Sequence, residues 1–382
     1  MPPKKKATEG HFCDLTEKRG IKIYYEVSDE TSLRKAFTGD KEEYVFLLMG
    51  STADLRKTTD AQYISQLVSL FKVITYDHRN TGQTTIKDEP CTMADYADDA
   101  AALLEAVLPD KLPVYVIGTS FGGMVAQHLA LRHPHLVKKL VLCCCATGGA
   151  GGMSFPIHDW YADGITPEDR VVKKIFQANT DRTEKWKEEN PSGWQMVYTL
   201  LTRDEKVGID EPLRMEGIAR QLEARKAHDT WDTIADLQMP VLVCGSQKDN
   251  ITPPDIMQKM IERIGKCESR LDFDWGHAFL AADTKAAPFV NEFLRKPAGA
   301  AQIWKVVGGG DKGGILVRTG PETSSKEAGS RLSTGALVEE LELVGGERLH
   351  YKLLKGTGPE DGWCLIKLGG GKELCVKTSE MP

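Results

Sequence analysis

Val114-Tyr115-Val116-Ile117-Gly118-Thr119-Ser120-Phe121-Gly122-Gly123-Met124 is the stretch on which the fold turns. Its first four residues are β-branched or aromatic, the composition of a strand buried on both faces. Gly118 to Gly122 then matches the pattern GxSxG, and Met124 to Arg132 reads as a helix closed by Pro134. A serine on so sharp a strand-to-helix turn is forced outward, and glycines on either side let the flanking backbones pass closely. The helix N-terminus beside it favours developing negative charge. Gly and Ser are common in plain turns, but a strand leading in and a helix leading out mark Ser120 as a nucleophile.

The neighbouring sequence keeps the same rhythm. Extended apolar runs at Ile21 to Val27, Tyr44 to Leu48, Val73 to Tyr76, Leu140 to Cys144 and Val241 to Cys244 alternate with helical patterns. Thr92 with Asp95 forms a capping-box-like start, after which Tyr96, Ala100, Leu103, Leu104 and Val107 share one helix face. Strands alternating with helices predict an α/β fold with a doubly wound, mostly parallel sheet, its core spanning residues 12–147 and 237–296.

Two regions break that rhythm. Residues 148–236 open with the hinge-like run Gly148-Gly149-Ala150-Gly151-Gly152 and are then mostly helical, as expected of a cap inserted into the core. Four of the seven tryptophans fall there: Trp160, Trp186, Trp194 and Trp231. After Pro297, the segment Ala298-Gly299-Ala300-Ala301 reads as a linker to residues 302–382, where glycine clusters punctuate two-residue alternation. Leu349, Tyr351 and Leu353 share one face there, as do Cys364, Ile366 and Leu368, the pattern of a small all-β, barrel-like domain.

A serine hydroxyl is a weak nucleophile without a base, and in a fold of this kind acid and base follow the serine in that order. Val241 to Cys244 is an apolar strand, and Asp249 lies in the loop at its carboxyl end, where open α/β sheets bind ligands. His277 follows the short terminal strand Leu271 to Phe273, with Gly276 freeing the loop to turn back. His128, His133 and His135 lie in or beside the helix after Ser120, where a solvated or capping role is expected, and His228 is a weaker rival. The triad is therefore Ser120, Asp249 and His277, with Asp272 and Asp274 as the next acids to test. Backbone N–H donors for an oxyanion are expected from Phe121 and from Ser51, with Thr52 in reserve.

Composition narrows the rest. The 382 residues carry a net charge of −6, with no basic stripe to suggest nucleic acid. Nine cysteines at irregular spacing, three of them consecutive at Cys143 to Cys145, suit a buried strand end in a reducing, cytoplasmic setting better than a disulfide framework. No apolar run is long enough to span a bilayer. The glycines near Ser120 do not form GxGxxG and no metal-ligand cluster is evident, so no cofactor and no metal are expected.

On these residues, positions ~12–296 resemble the α/β-hydrolase superfamily. Asp77-His78-Arg79-Asn80-Thr81-Gly82-Gln83-Thr84 is similar to that family's turn after the fourth strand. His228-Asp229-Thr230 and Gly276-His277-Ala278-Phe279 resemble its lactonase, methylesterase and haloperoxidase-like branch. Met49 departs from the family by standing where many members carry histidine. In the tail, Gly314 to Arg318 and Gly362 to Ile366 faintly resemble an SH3-like barrel, a surface for a protein partner. The resemblance implies a serine hydrolase, and the aromatic-rich insertion adds the expectation of a small apolar or aromatic ester or lactone, cleaved through an acyl-enzyme. Trp160 and Trp194 are the expected substrate contacts under the cap, although cap packing is the ordinary use of such rings. A ligand sensor with slow or no turnover, or C–C bond hydrolysis on the same triad, are the competing readings.

Overall fold

A computed structural model describes residues 10–29, 42–57, 70–296, 303–345 and 347–378. Contacts divide the chain into two compact units, Met1–Arg295 and Lys296–Pro382. The first is built on an eight-stranded sheet: β1 (Gly10–Leu15), β2 (Ile21–Ser28), β3 (Tyr44–Leu48), β4 (Lys72–Tyr76), β5 (Val114–Thr119), β6 (Val137–Cys143), β7 (Val241–Ser246) and β8 (Glu268–Phe273). Their order is β1-β2-β4-β3-β5-β6-β7-β8, antiparallel from β1 to β4 through β2 and parallel thereafter.

Side chains alternate across this sheet, and helices cover both faces. Val116, Leu140, Leu142 and Val243 pack with α1 (Met93–Val107), α2 (Phe121–Arg132) and α7 (Pro254–Ile264). Ile117, Val141 and Leu242 pack on the opposite face with α8 (Ala286–Arg295). Burial on both faces is why these strands read as continuous apolar runs. The capping box at the start of α1 is formed, Thr92 accepting from Asp95 N–H and the Asp95 side chain from Thr92 N–H.

The cap carries α3 (Pro167–Ala178), α4 (Glu184–Glu189), α5 (Pro191–Glu205) and α6 (Arg214–Lys226). Its glycine-rich approach is closely packed. Gly148 bridges both Gly152 and Asp229, and a Cβ at Gly148 would lie 2.0 Å from the His228 carbonyl oxygen. A Cβ at Gly151 would likewise meet Thr147 and Trp231. Gly148 and Gly151 answer a close approach, while Gly148, Gly149 and Gly152 also hold positive φ of 71°, 52° and 93°, which favours glycine.

The second unit is a five-stranded antiparallel sheet in the order β12-β11-β10-β9-β13: β9 (Ile303–Val306), β10 (Leu337–Val344), β11 (Arg348–Lys355), β12 (Asp361–Leu365) and β13 (Cys375–Thr378). Trp304, Val338, Leu349, Tyr351 and Cys364 form its core. The apolar alternation expected from Cys364 to Leu368 ends early, because β12 stops at Leu365 and Leu368 is 43% exposed.

Candidate active site

The chain passes from β3 to β4 on one side and returns to β5 on the other, so the sheet order reverses between β3 and β5. A crevice opens at the carboxyl ends of strands at such a switch point. Leu48 pairs with Gly118, which sets Gly50 beside Ser120; a Cβ at Gly50 would stand 3.6 Å from that of Ser120.

Ser120 holds φ 55° and ψ −118°, a conformation that L-residues rarely adopt and that marks a strained turn. Its surroundings fix it. Ser120 N–H donates to the Cys143 carbonyl at 2.9 Å, and its carbonyl accepts from Met124 N–H. A Cβ at Gly122 would come within 2.1 Å of the Leu48 carbonyl oxygen, and one at Gly118 within 2.5 Å of the Gly122 carbonyl oxygen. The GxSxG glycines are therefore required by backbone contact between α2, β3 and β5.

Asp249 follows β7 and His277 follows β8. Asp249 Oδ2 and His277 Nδ1 are 2.8 Å apart, the aspartate fully buried and the imidazole 16% exposed. The carboxylate accepts, so Nδ1 carries the proton and Nε2 keeps its lone pair. The other oxygen, Oδ1, accepts from Ile251 and Thr252 N–H at 2.8 and 2.9 Å. Neither reserve acid competes: Asp272 pairs with Arg270, and Asp274 with Lys248, both at the surface. Cys144, next in the chain to the residue that anchors Ser120, brings its Sγ within 4.8 Å of ligand atoms of Asp249 and His277. Those three make a poor metal set. Burial holds the thiol well above its usual range, and the Asp249 oxygens are already engaged.

Among the described residues, the N–H groups of Ser51 and Phe121 have no acceptor in the protein. Thr52 N–H does, donating to Gln221 Oε1 at 2.7 Å, so the reserve donor is already spent. Two supports of this loop escaped the sequence. Gln221 arrives from α6, 169 residues away, and no local pattern announces it. His78 is buried against Tyr76, Tyr96 and Phe121, and its Nε2 donates to the Met49 carbonyl at 3.1 Å.

The His loop is bonded to the cap. His277 N–H donates to the Ala178 carbonyl at 2.7 Å, and Lys248 Nζ bridges Asp181 and Asp274 at 2.6 Å each. Trp160 is buried with Phe155, Ile218, Leu222 and Ile251 under the cap. Trp194 is placed differently: it stacks on Phe176 and Tyr198 with Lys187 over its ring, contacts made within the cap.

His128 is half-buried and bonded to a second histidine. His228 Nε2 donates to the Ala146 carbonyl at 3.0 Å, so its Nδ1 accepts from His128 Nε2 at 3.2 Å. Both rings are neutral in that arrangement. Burial lowers His78 and His128 to about 4 and His228 to about 3, with Arg132 near His128 adding to the effect and Asp229 opposing it. Groups whose folded-state values are depressed resist protonation only while folded, so their contribution is lost as pH falls below 6.5 toward 4. The urea midpoint is expected to fall across that window, and His128→Gln with His228→Asn to flatten the fall. An unchanged slope in the double variant would place the acid sensitivity elsewhere.

The family model described as "alpha/beta hydrolase fold" matches residues 62–283, more than half of the chain. The chain belongs to the α/β-hydrolase family, and the mostly parallel sheet and the place of Ser120 agree with that membership. It is 25% identical over 240 residues to the "Putative carbamate hydrolase RutD" of Rhizobium rhizogenes, covering 62% of this chain and 86% of that one. Among solved structures it resembles an enol-lactonase from Burkholderia xenovorans (TM-score 0.58, 19% identity, 75% of this chain and 100% of that one). It also resembles a bromoperoxidase from Bacillus anthracis (TM-score 0.58, 17% identity, 76% and 100%). The protein is thus an enzyme of the α/β-hydrolase family, and the two solved structures share its fold. No helix among the described residues is long and apolar enough to cross a membrane.

Proposed function

We propose that this chain is a serine hydrolase that cleaves a carboxylic ester or lactone through an acyl-enzyme. The observation that carries the reading is the 2.8 Å bond from His277 Nδ1 to buried Asp249, in a chain whose Ser120 sits on a strained strand-to-helix turn. Ser120 Oγ attacks the carbonyl carbon while its proton passes to His277 Nε2. The N–H groups of Ser51 and Phe121 receive the oxyanion that forms, with the α2 N-terminus adding its positive end. As the tetrahedral adduct collapses, the leaving oxygen takes the proton from Nε2. Water then repeats the cycle on the acyl group, yielding an acid and free Ser120.

A fluorophosphonate is expected to label Ser120 and no other serine, and a panel of esters and lactones to lose turnover in Ser120→Ala. Tight binding of panel members with negligible wild-type turnover would instead support a sensor.

Within this reading Trp160 forms part of the apolar wall next to the acid loop, and Trp194 holds cap helices together. Trp160→Ala should raise KM for long or aromatic acyl esters at least tenfold, with much less effect on an acetyl ester. Trp194→Ala should lower cap stability and leave acyl preference alone. Identical kinetic profiles for the two variants would break this assignment.

A further inference from the structure

Two cap side chains are buried with hydrogen-bonding capacity that the protein leaves unused. Ile218, Gln221, Leu222 and Arg225 recur on α6 at the spacing of one helix face. Ile218 and Leu222 pack with Trp160 and Ile251, the latter a residue whose N–H holds Asp249. Gln221 grips Thr52, next to Ser51, through Oε1, while its Nε2 is buried and unpartnered. One terminal nitrogen of Arg225 donates to Ser154 Oγ at 2.7 Å and to the Phe155 carbonyl at 2.9 Å. Phe155 N–H in turn donates to the Ile251 carbonyl at 2.7 Å. Arg225 Nε is buried with no partner. This helix face therefore runs from the oxyanion loop to the acid loop.

Arg225 is only 2% exposed. A guanidinium taken out of water is costly unless an anion faces it. The other buried arginines of the cap obey that rule, Arg170 pairing with Glu205 and Arg214 with Asp54. Among the described residues no carboxylate makes an ion pair with Arg225. Burial alone lowers it to about 10, so it remains a cation at neutral pH.

We infer that the counter-charge of Arg225 comes from the substrate, and that Arg225 with Gln221 binds a carboxylate carried by the ester or lactone whose carbonyl meets Ser120. The guanidinium fork suits a carboxylate, and the Gln221 amide supplies a further donor. The inference rests on the hydrolase reading and narrows its substrate to an acid-bearing ester or lactone.

Two matched pairs test it: 4-nitrophenyl hemiglutarate against 4-nitrophenyl valerate, with the charge on the acyl side, and 4-acetoxybenzoate against 4-methylphenyl acetate, with the charge on the leaving group. In at least one pair the ratio of kcat/KM, acid-bearing over neutral, should fall about 10- to 100-fold in Arg225→Met, mainly through KM, and recover in part in Arg225→Lys. Gln221→Glu, which keeps an oxygen for Thr52 but adds a like charge, should lower the same ratio. If neither pair shows an acid preference in wild type, or if the preference survives in folded Arg225→Met, the inference is overturned. Calorimetric binding of glutarate to Ser120→Ala, lost when Arg225→Met is added, reports on the anion site without turnover. Undiminished hydrolysis by Ser120→Ala would sink the hydrolase reading instead, leaving the glutarate result to stand by itself. Should Arg225→Met fail to fold, Gln221→Glu carries both measurements.

Discussion

Asp249→Asn is expected to lower kcat about 10⁴-fold while the chain stays folded. The reason lies in how the carboxylate is divided. Oδ1 accepts two backbone N–H groups, from Ile251 and Thr252, so the amide oxygen of an asparagine keeps that side. Its NH₂ then faces His277 Nδ1 and donates to it, forcing the ring proton onto Nε2. An imidazole protonated there cannot accept a proton from Ser120. His277→Ala and Ser120→Ala should fall by comparable factors, and double variants little further, because the three groups act as a unit. Single-turnover rates beside thermal melts check this. Near wild-type rates in folded Asp249→Asn would mean that the acid is another residue, and the surface pairings of Asp272 and Asp274 leave neither as a ready replacement.

Gly276→Ala should cost about 100-fold in kcat/KM although it removes no functional group. A Cβ at Gly276 would lie 2.1 Å from the Ala178 carbonyl oxygen and 2.6 Å from Asn179 Cβ. Both belong to the end of α3, against which the His loop is bonded through His277 N–H. Either the cap retreats or the loop shifts by about an ångström, and a displacement of that size at a reacting group costs on the order of 10² in rate. The melting temperature should drop only modestly, since the contact lies at the rim of the core. Wild-type kinetics in Gly276→Ala would show that the cap yields freely at this point.

The sheet, the turn at Ser120 and the Asp249–His277 pair were readable in the sequence because each rests on local pattern. Continuous apolar runs report strands covered on both faces; Ser120 and Asp249 follow two of them, whereas His277 follows the more polar β8 and is legible from chain order and Gly276. What could not be read depends on contacts between distant segments. Gln221 reaches the oxyanion loop across 169 residues, and His128 meets His228 across 100. At Gly148 the sequence could not show that the same glycine serves both needs, a positive φ and a close approach to the His228 carbonyl. The stacking of Trp194 on Phe176 and Tyr198 was likewise not legible, since an aromatic ring reads alike whether it lines a site or packs two helices.

The neck of the cap has a consequence for how such a chain can change. Gly148 and Asp229 are bridged, and Thr230 beside them bonds Gln127 of α2 and the Thr147 carbonyl, so the insertion leaves and rejoins the core at neighbouring points. For the core, everything between those points is one closed loop, and the entropy of closing a loop grows only with the logarithm of its length. Helices can thus be lengthened, exchanged or deleted beyond the neck without altering the distance that the core must span. A relative's segment grafted between Gly152 and His228 keeps that span, but it must also supply the oxygen with which Gln221 holds Thr52 and the Ala178 carbonyl that holds His277.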